Sequence, residues 1–359
     1  MEGFILLGDC HFGCRNSNKH LNLFFERFYN ETFFPYLIEN KISKVIQVGD
    51  IFDSRKFTNH VSAHDANNYF FSKFDEYDIE LFTLLGNHDI TFKQSLSVNA
   101  PELFLSGFNN IQVITKSTSI QLDDHNAISL IPWICEENYD ECIEYIKNDR
   151  NILCAGHFEI ESFKMYQSGI SCEHGLSVKL FSNYEYVFSG HYHHRSTKSN
   201  ITYVGTPYEM TWQDYGDKKG FHFFDTNSRK LNFVENPNSI FVKVEYDDSG
   251  ASDATNSSYL SDEYHEQFNA AYVKVQVVNK SNPYLFDLFI DKLNSVNPID
   301  VTIDEVIVDT LVDEEVDESD DTLTIVNKYI DSVEYNDLDK NKLKHIMSNL
   351  YSEANSITV

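Results

Sequence analysis

Several structural devices are missing from this sequence. Its six cysteines are spread through 359 residues with no Cys-x-x-Cys pair, and Cys10 and Cys14, the closest two, have no second pair with which to build a zinc site. A chain this long buries a core without covalent staples, so the cysteines read as free thiols. No apolar run approaches the ~18 residues that span a bilayer, which excludes a membrane-inserted class. The N-terminus has no basic stretch, long apolar stretch or small-residue cleavage site, so a cytoplasmic protein is expected. No G-x-x-x-x-G-K-[ST] occurs, and with it goes ATP chemistry of the P-loop kind. Positive charge is scarce too: 28 Lys and Arg face 56 Asp and Glu, leaving −28, the wrong sign for gripping a polyanion over a broad surface. The excess is uneven. Residues 1–240 hold 31 acids and 20 bases, residues 241–359 hold 25 and 8.

What the chain does have, at 42% hydrophobic and 14% aromatic, is a globular composition and one recurring pattern. Five times a short apolar run ends abruptly in Gly with Asp, Asn or His: Phe4–His11, Val45–Asp50, Leu81–Asp89, Ile152–His157 and Tyr186–His193. Such runs read as strands buried on both faces, with polar groups at the C-terminal ends, where open α/β sheets place ligands. Leu21, Phe24, Phe25 and Phe28 recur at helical spacing, with Pro35 expected to kink or end that helix, and Val61–Phe74 makes a second, less regular helical segment. Alternating strands are expected over Ile111–Ile134, Ile201–Val204 and Phe221–Val234. The core is thus two layers of sheet flanked by helices.

After Asn236 the texture changes. A strand-like IFVKVEY precedes a Ser/Asp/Asn-rich loop from Asp247 to Asp262, and then AYVKVQVV, a helix capped by Asn282 with Pro283 at its first position, and VTIDEVIV form a β-α-β unit. The block Asp313–Asp321 reads as a solvated linker. Beyond it, Leu323, Val326, Ile330 and Val333, then Leu343, Ile346, Met347 and Leu350, mark two short amphipathic helices that cannot bury their apolar faces alone.

The five strand ends carry Asp9, His11, Asp50, Asn87, His88, His157, His191 and His193. These are oxygen and imidazole donors without thiolates, a set that suits Mn²⁺, Fe or Zn²⁺ better than a structural zinc site. One His after a strand is more often a hydrogen-bonded structural residue. Five clusters in one topology are not explained that way. D-x-H, G-D-x-x-D, G-N-H-D, G-H and G-H-x-H in this order resemble the calcineurin-like metallophosphoesterase superfamily over about the first two-thirds of the chain. The resemblance implies a four-layer α/β/β/α metallophosphoesterase sandwich that binds two divalent ions, with Mn²⁺ favoured and Mg²⁺, Fe or Zn²⁺ also suitable. Asp50 would bridge them. One ion would take Asp9, His11 and His193, the other Asn87, His157 and His191. His88 would protonate or stabilise the leaving oxygen, with Asp53 orienting it, while Asp89 serves as a structural acid. Arg55 reads as a surface residue within reach of a phosphate.

Ser54 and Asp89 stand where protein serine/threonine phosphatases of the superfamily carry Arg and Glu. Tyr203–Phe221 instead resembles SbcD-like DNA nucleases, and Gly156–Met165 their phage-encoded members. That resemblance implies a nuclease domain at 1–238, a small α+β capping domain at 239–310, an acidic linker at 311–322 and a helical segment at 323–359. The helical segment would dock on an SMC-like coiled-coil ATPase. It implies a Mn-dependent double-strand exonuclease and single-strand endonuclease acting on DNA in recombination and repair, in the host cytoplasm if phage-encoded. A homodimer would form through Ser62–Phe74 and Pro101–Phe108. A phosphodiesterase or nucleotidase for small substrates is the alternative, favoured by the acidity, and a non-catalytic scaffold is a third.

Overall fold

Each of the five apolar runs forms a strand in a computed structural model of the chain, which describes residues 2–165, 172, 175–249 and 259–305, and further on 330, 340, 342–344, 346 and 347. Gly3–Leu7, Lys44–Gln47, Glu80–Leu84 and Ile111–Ile114 pair in parallel, and the antiparallel strands Gly220–Asp225 and Lys230–Glu235 complete a mixed six-stranded sheet. Leu153–His157 and Tyr186–Gly190 lie parallel at the centre of a second one. Ala127–Ile131 and Thr118–Gln121 flank them on one side, Ile201–Tyr203 and Ser196–Lys198 on the other.

Strand periodicity places the two sheets against each other. Phe4 and Leu6 join Ile46, Val48 and Leu84 in a core shared with Leu130, Leu153, Ala155 and Phe188 of the second sheet. Ile5 and Leu7 face the opposite way, into a core with Leu21, Phe25, Phe28, Phe70 and Phe74. Behind the second sheet, Cys154, Val187 and Tyr203 pack on Cys142 and Ile146 of the helix Tyr139–Asn148. Helices therefore cover an outer face of each sheet.

The helix carrying Leu21, Phe24, Phe25 and Phe28 runs Lys19–Phe28, capped by Asn18, whose side chain accepts the His20 and Leu21 N–H groups. Pro35 does not end it. The chain widens into a π turn at Tyr29–Phe33 and runs straight on into Phe34–Asn40, with Pro35 in its first turn. The second helical segment is irregular for a similar reason, since a π turn at Asn67–Phe71 separates His60–Ala66 from Ser72–Glu76. The two π turns bring aromatics together: Tyr29 lies 4.5 Å from Phe70 between ring centroids, and Phe12 lies 5.2 Å from Phe70. Phe12 is the residue after His11, so this packing supports the loop that carries His11.

Phe241–Asp247, Tyr272–Asn279 and Asp300–Glu305 form a separate three-stranded parallel sheet, with the helix Pro283–Ser295 between the last two. Asn282 caps that helix by accepting the Leu285 N–H at 3.2 Å. This sheet has its own core around Val275, Phe286 and Phe289. Its first residues also belong to the larger core, through Ile240 and Phe241, whose N–H groups the Glu209 carboxylate accepts at 2.9 and 3.1 Å. Met1–Glu305 is one compact unit. Val306–Val359 is a second, in which the seven described residues have helical backbone. The acidic linker and most of the expected C-terminal helices lie outside the described residues. Among the described residues no helix is long and apolar enough to cross a membrane, and all six cysteines are free.

Phe70 is fully buried at the meeting point of the two π turns. Phe70→Ala is expected to destabilise the unit by about 3–5 kcal/mol, read as a lowered urea midpoint; a loss below about 1 kcal/mol would show that this aromatic cluster does not hold the helices to the sheet.

Candidate metal centre

The strand ends of both sheets converge. Asp9 and His11 follow Gly3–Leu7, Asp50 follows Lys44–Gln47, Asn87 and His88 follow Glu80–Leu84, His157 ends Leu153–His157, and His191 and His193 follow Tyr186–Gly190. Asp50 ties the loops together. Its main-chain oxygen accepts the Cys10 and His11 N–H groups at 3.0 Å each, and its Oδ1 accepts the His88 N–H at 2.7 Å. Its Oδ2 stands 3.3 Å from His157 Nε2 and 3.9 Å from His11 Nε2. The Asp9 carboxylate accepts the His191 N–H at 2.9 and 3.2 Å, which joins the two sheets.

These turns need unusual backbone. His11, Asp50 and His191 take φ of 47°, 52° and 85°, left-handed values that cost a non-glycine residue of order 1–3 kcal/mol each. Glycine makes the close approaches possible. A Cβ on Gly86 would lie 2.2 Å from the Asp50 nitrogen and Oδ1, and one on Gly49, at φ 100°, would lie 2.3 Å from His157 Nδ1. Asp89 staples the same loops from behind, accepting N–H groups from Gly86, Phe52 and Ile51 at 2.8, 3.0 and 3.3 Å.

Ligating atoms of Asp9, His11 and His193 lie within 4.8 Å of one another, as do those of Asp50, His157 and His191, and those of His11, Asp53 and His88. The donor chemistry calls for a cation. His157 Nδ1 donates to the Val48 carbonyl at 2.7 Å, which leaves its Nε2, facing Asn87 Oδ1 at 3.0 Å and Asp50 Oδ2 at 3.3 Å, to carry either a proton or an ion. A lone pair set against two oxygen acceptors is repulsive unless a proton or a metal ion lies among them. His11 and His193 approach likewise, with their Nε2 atoms 3.2 Å apart, where one imidazole donates to the other. Buried carboxylates and imidazoles grouped this closely are donors of the kind a divalent ion takes.

A profile of the family described as calcineurin-like phosphoesterase matches residues 3–195. The chain belongs to the calcineurin-like phosphoesterase family. It is also 32% identical over 324 residues to exonuclease subunit 1 of Enterobacteria phage T4, covering 89% of this chain and 90% of that protein. As a calcineurin-like phosphoesterase it is a metal-dependent phosphodiesterase.

In this phosphoesterase His88 stands outside the two groups that would bridge through Asp50. Its Nδ1 donates to the main-chain oxygen of Asp53 at 2.6 Å, and the ring lines a cleft of about 600 Å³ together with Phe12, Asn16, Arg55, Lys56 and Phe57. The Asp53 carboxylate is placed elsewhere, 3.2 Å from His11 Nδ1. Asp53 thus orients His88 through its backbone and His11 through its side chain, a division that side-chain motifs do not reveal. Two further residues carried no sequence signal. Trp133 packs its indole over His157 and His191, at 5.8 and 5.1 Å between centroids. Gln47, fully buried, donates to the Gly49 carbonyl at 2.6 Å and sets the turn before Asp50.

Burial dominates the electrostatics. It pushes Asp9 up to about 7 against the pull of His157 and His11. Burial would raise Asp50 as well, but His157 and His11 hold it below the ordinary carboxylate range. Burial alone would lower His11 and His157; the surrounding carboxylates, Asp53 and Asp50 foremost, carry both up to about 9. His191 and His193, pushed down by burial and by those neighbouring imidazoles, reach about 3. Near neutral pH the ion-free centre therefore holds protons on His11 and His157 that an ion must displace. Mn²⁺ affinity is expected to rise as pH increases from 6 to 9 and to fall as pH drops. Calorimetry in buffers of different ionisation enthalpy should register at least one proton released; affinity that is constant over this range would show both imidazoles already neutral.

Proposed function

We propose that the chain is the nuclease subunit of a recombination and repair complex, a Mn-dependent double-strand DNA exonuclease and single-strand endonuclease that works with an SMC-like coiled-coil ATPase. The observation that carries this reading is the match to exonuclease subunit 1, which extends well past residue 195, where the family profile ends, over nine-tenths of both chains. The two sheets with helices outside them are read as the four-layer α/β/β/α sandwich, residues 1–238, and the three-stranded unit as a capping domain, residues 239–310. Residues 311–322 are then the linker and 323–359 the partner-binding segment.

Asp9, His11 and His193 with Asp50 would hold one ion, and Asn87, His157 and His191 with Asp50 the other. When bound, two such ions lower the pKa of the attacking water and neutralise charge on the phosphate through an in-line displacement. The chain's own residues complete the reaction. His88, anchored at Nδ1 by the Asp53 carbonyl, presents its other edge to the cleft and delivers the Nε2 proton to the leaving oxygen. Arg55 and Lys56 line the same cleft as His88, where their two cations would meet a phosphodiester backbone on an otherwise acidic chain. Leu103, 72% exposed, presents an apolar side chain in one segment assigned to the homodimer contact, and Val61, 66% exposed, directly precedes the other.

Purified protein with Mn²⁺ is expected to degrade labelled duplex DNA. His88→Ala should keep both ions and lose at least 10²-fold in cleavage rate, whereas Asp50→Ala should lose metal. Near-normal cleavage by His88→Ala would remove the acid assignment, and turnover confined to nucleotides or bis-p-nitrophenyl phosphate would decide for a small-substrate phosphodiesterase.

Deleting residues after Asp321 is expected to abolish co-purification with the ATPase subunit while leaving hydrolysis of bis-p-nitrophenyl phosphate unchanged. Complex formation that survives the deletion would exclude the C-terminal segment as the docking element.

A further inference from the structure

Lys219 takes no part in the chemistry above, yet it is 5% exposed, a rare position for a lysine. Its ammonium lies 2.8 Å from Asp214 Oδ1 and 3.0 Å from Asp217 Oδ2, and donates to the main-chain oxygen of His193 at 3.0 Å. It thus donates to Asp217 and to the His193 carbonyl and stands in ion-pair contact with Asp214. Both carboxylates are anchored in turn. Asp214 Oδ2 accepts the Met210 and Thr211 N–H groups at 3.0 and 2.9 Å, and Asp217 Oδ1 stands 3.0 Å from His194 Nδ1. A buried lysine with two carboxylates is a poor device for stability, because desolvation offsets most of the attraction and an apolar replacement often serves as well. Its geometry, though, is directional. It grips the loop that carries His193 from behind, at the residue itself and at the next one.

We propose that Lys219, supported by Asp214 and Asp217, is a positioning residue for His193: it holds the main chain of that residue so that its imidazole stays beside Asp9 and His11. The proposal rests on the two-ion reading of the centre and adds an asymmetry to it. His157 is held independently, by the Val48 carbonyl, and His191 by its own N–H on Asp9. Loss of Lys219 therefore reaches one ion, the one assigned to Asp9, His11 and His193, and spares the other. Outer contacts of this kind change metal affinity by ~10–100-fold.

Calorimetric titration of the full chain with Mn²⁺, together with the electron paramagnetic resonance signal of the coupled Mn pair, tests this. Lys219→Met is expected to bind one ion as the wild type does and the other ~10–100-fold more weakly, losing the coupled signal at low Mn²⁺ and regaining it at high Mn²⁺. Lys219→Arg keeps the charge and both carboxylate partners, but its planar fork cannot set three donors around one point. It is expected to fold and to show the same one-ion defect in smaller degree, and it carries the test if the Met variant does not fold. Two ions bound with wild-type affinity in the folded variants would overturn the proposal, as would equal weakening of both ions. A wild-type chain that takes fewer than two Mn²⁺ would instead overturn the two-ion reading itself, before any variant is compared.

Discussion

Asp50 is a carboxylate kept ionised in a place from which water is excluded, and much of the centre is arranged to make that possible. Burial opposes its charge, and His157, His11 and the His88 N–H supply the compensation. The cost reappears as geometry. Its backbone is left-handed, Gly49 and Gly86 must stay bare of side chains, and the loop carrying His11 hangs from its carbonyl. An ion pair buried this deeply contributes little to stability for its own sake. The binding of divalent metal, for which the family and the buried His and Asp clusters speak, gives the arrangement its purpose.

Rigidity around that point comes from packing, since the chain has no disulfide among its six cysteines. Strands from two sheets contribute ligands, and their backs are packed into a single shared core by Phe4, Leu6, Val48 and Phe188. Aromatic rings do the same outside the first sheet, where the two π turns bring Tyr29 and Phe70 under Phe12. Side chains that fill their space in fixed rotamers transmit small displacements, so the aromatic core behind Phe12 and the metal-facing loop in front of it belong to one device.

The overall charge of −28 says little about the site, because charge acts locally where water is excluded. Two divalent ions would add four positive charges at the point of reaction, beside Arg55 and Lys56. Residues 241–359, with 25 acids to 8 bases, hold more of the surplus than their length warrants.

The five strands, the helix marked by Leu21, Phe24, Phe25 and Phe28 and the helix capped at Asn282 were legible because they depend on neighbours close in sequence: runs of apolar residues, a helical spacing, a cap followed by proline. The residues that form the centre were legible too, since each sits one or two positions past a buried strand and has no apolar reason to be there. The π turns were not, because a widened turn is selected by what it packs against. Nor was the double use of Asp53, whose carbonyl holds His88 while its carboxylate meets His11, or the reach of Lys219 from residue 219 back to the carbonyl of 193. By itself the sequence determined which polar side chains stand at the strand ends and the strands that deliver them, because both are set by local patterning. Only the tertiary structure decided which atoms meet, which imidazoles hold protons and which residues stand behind the ligands, because those depend on distances between segments that burial and close packing alone bring together.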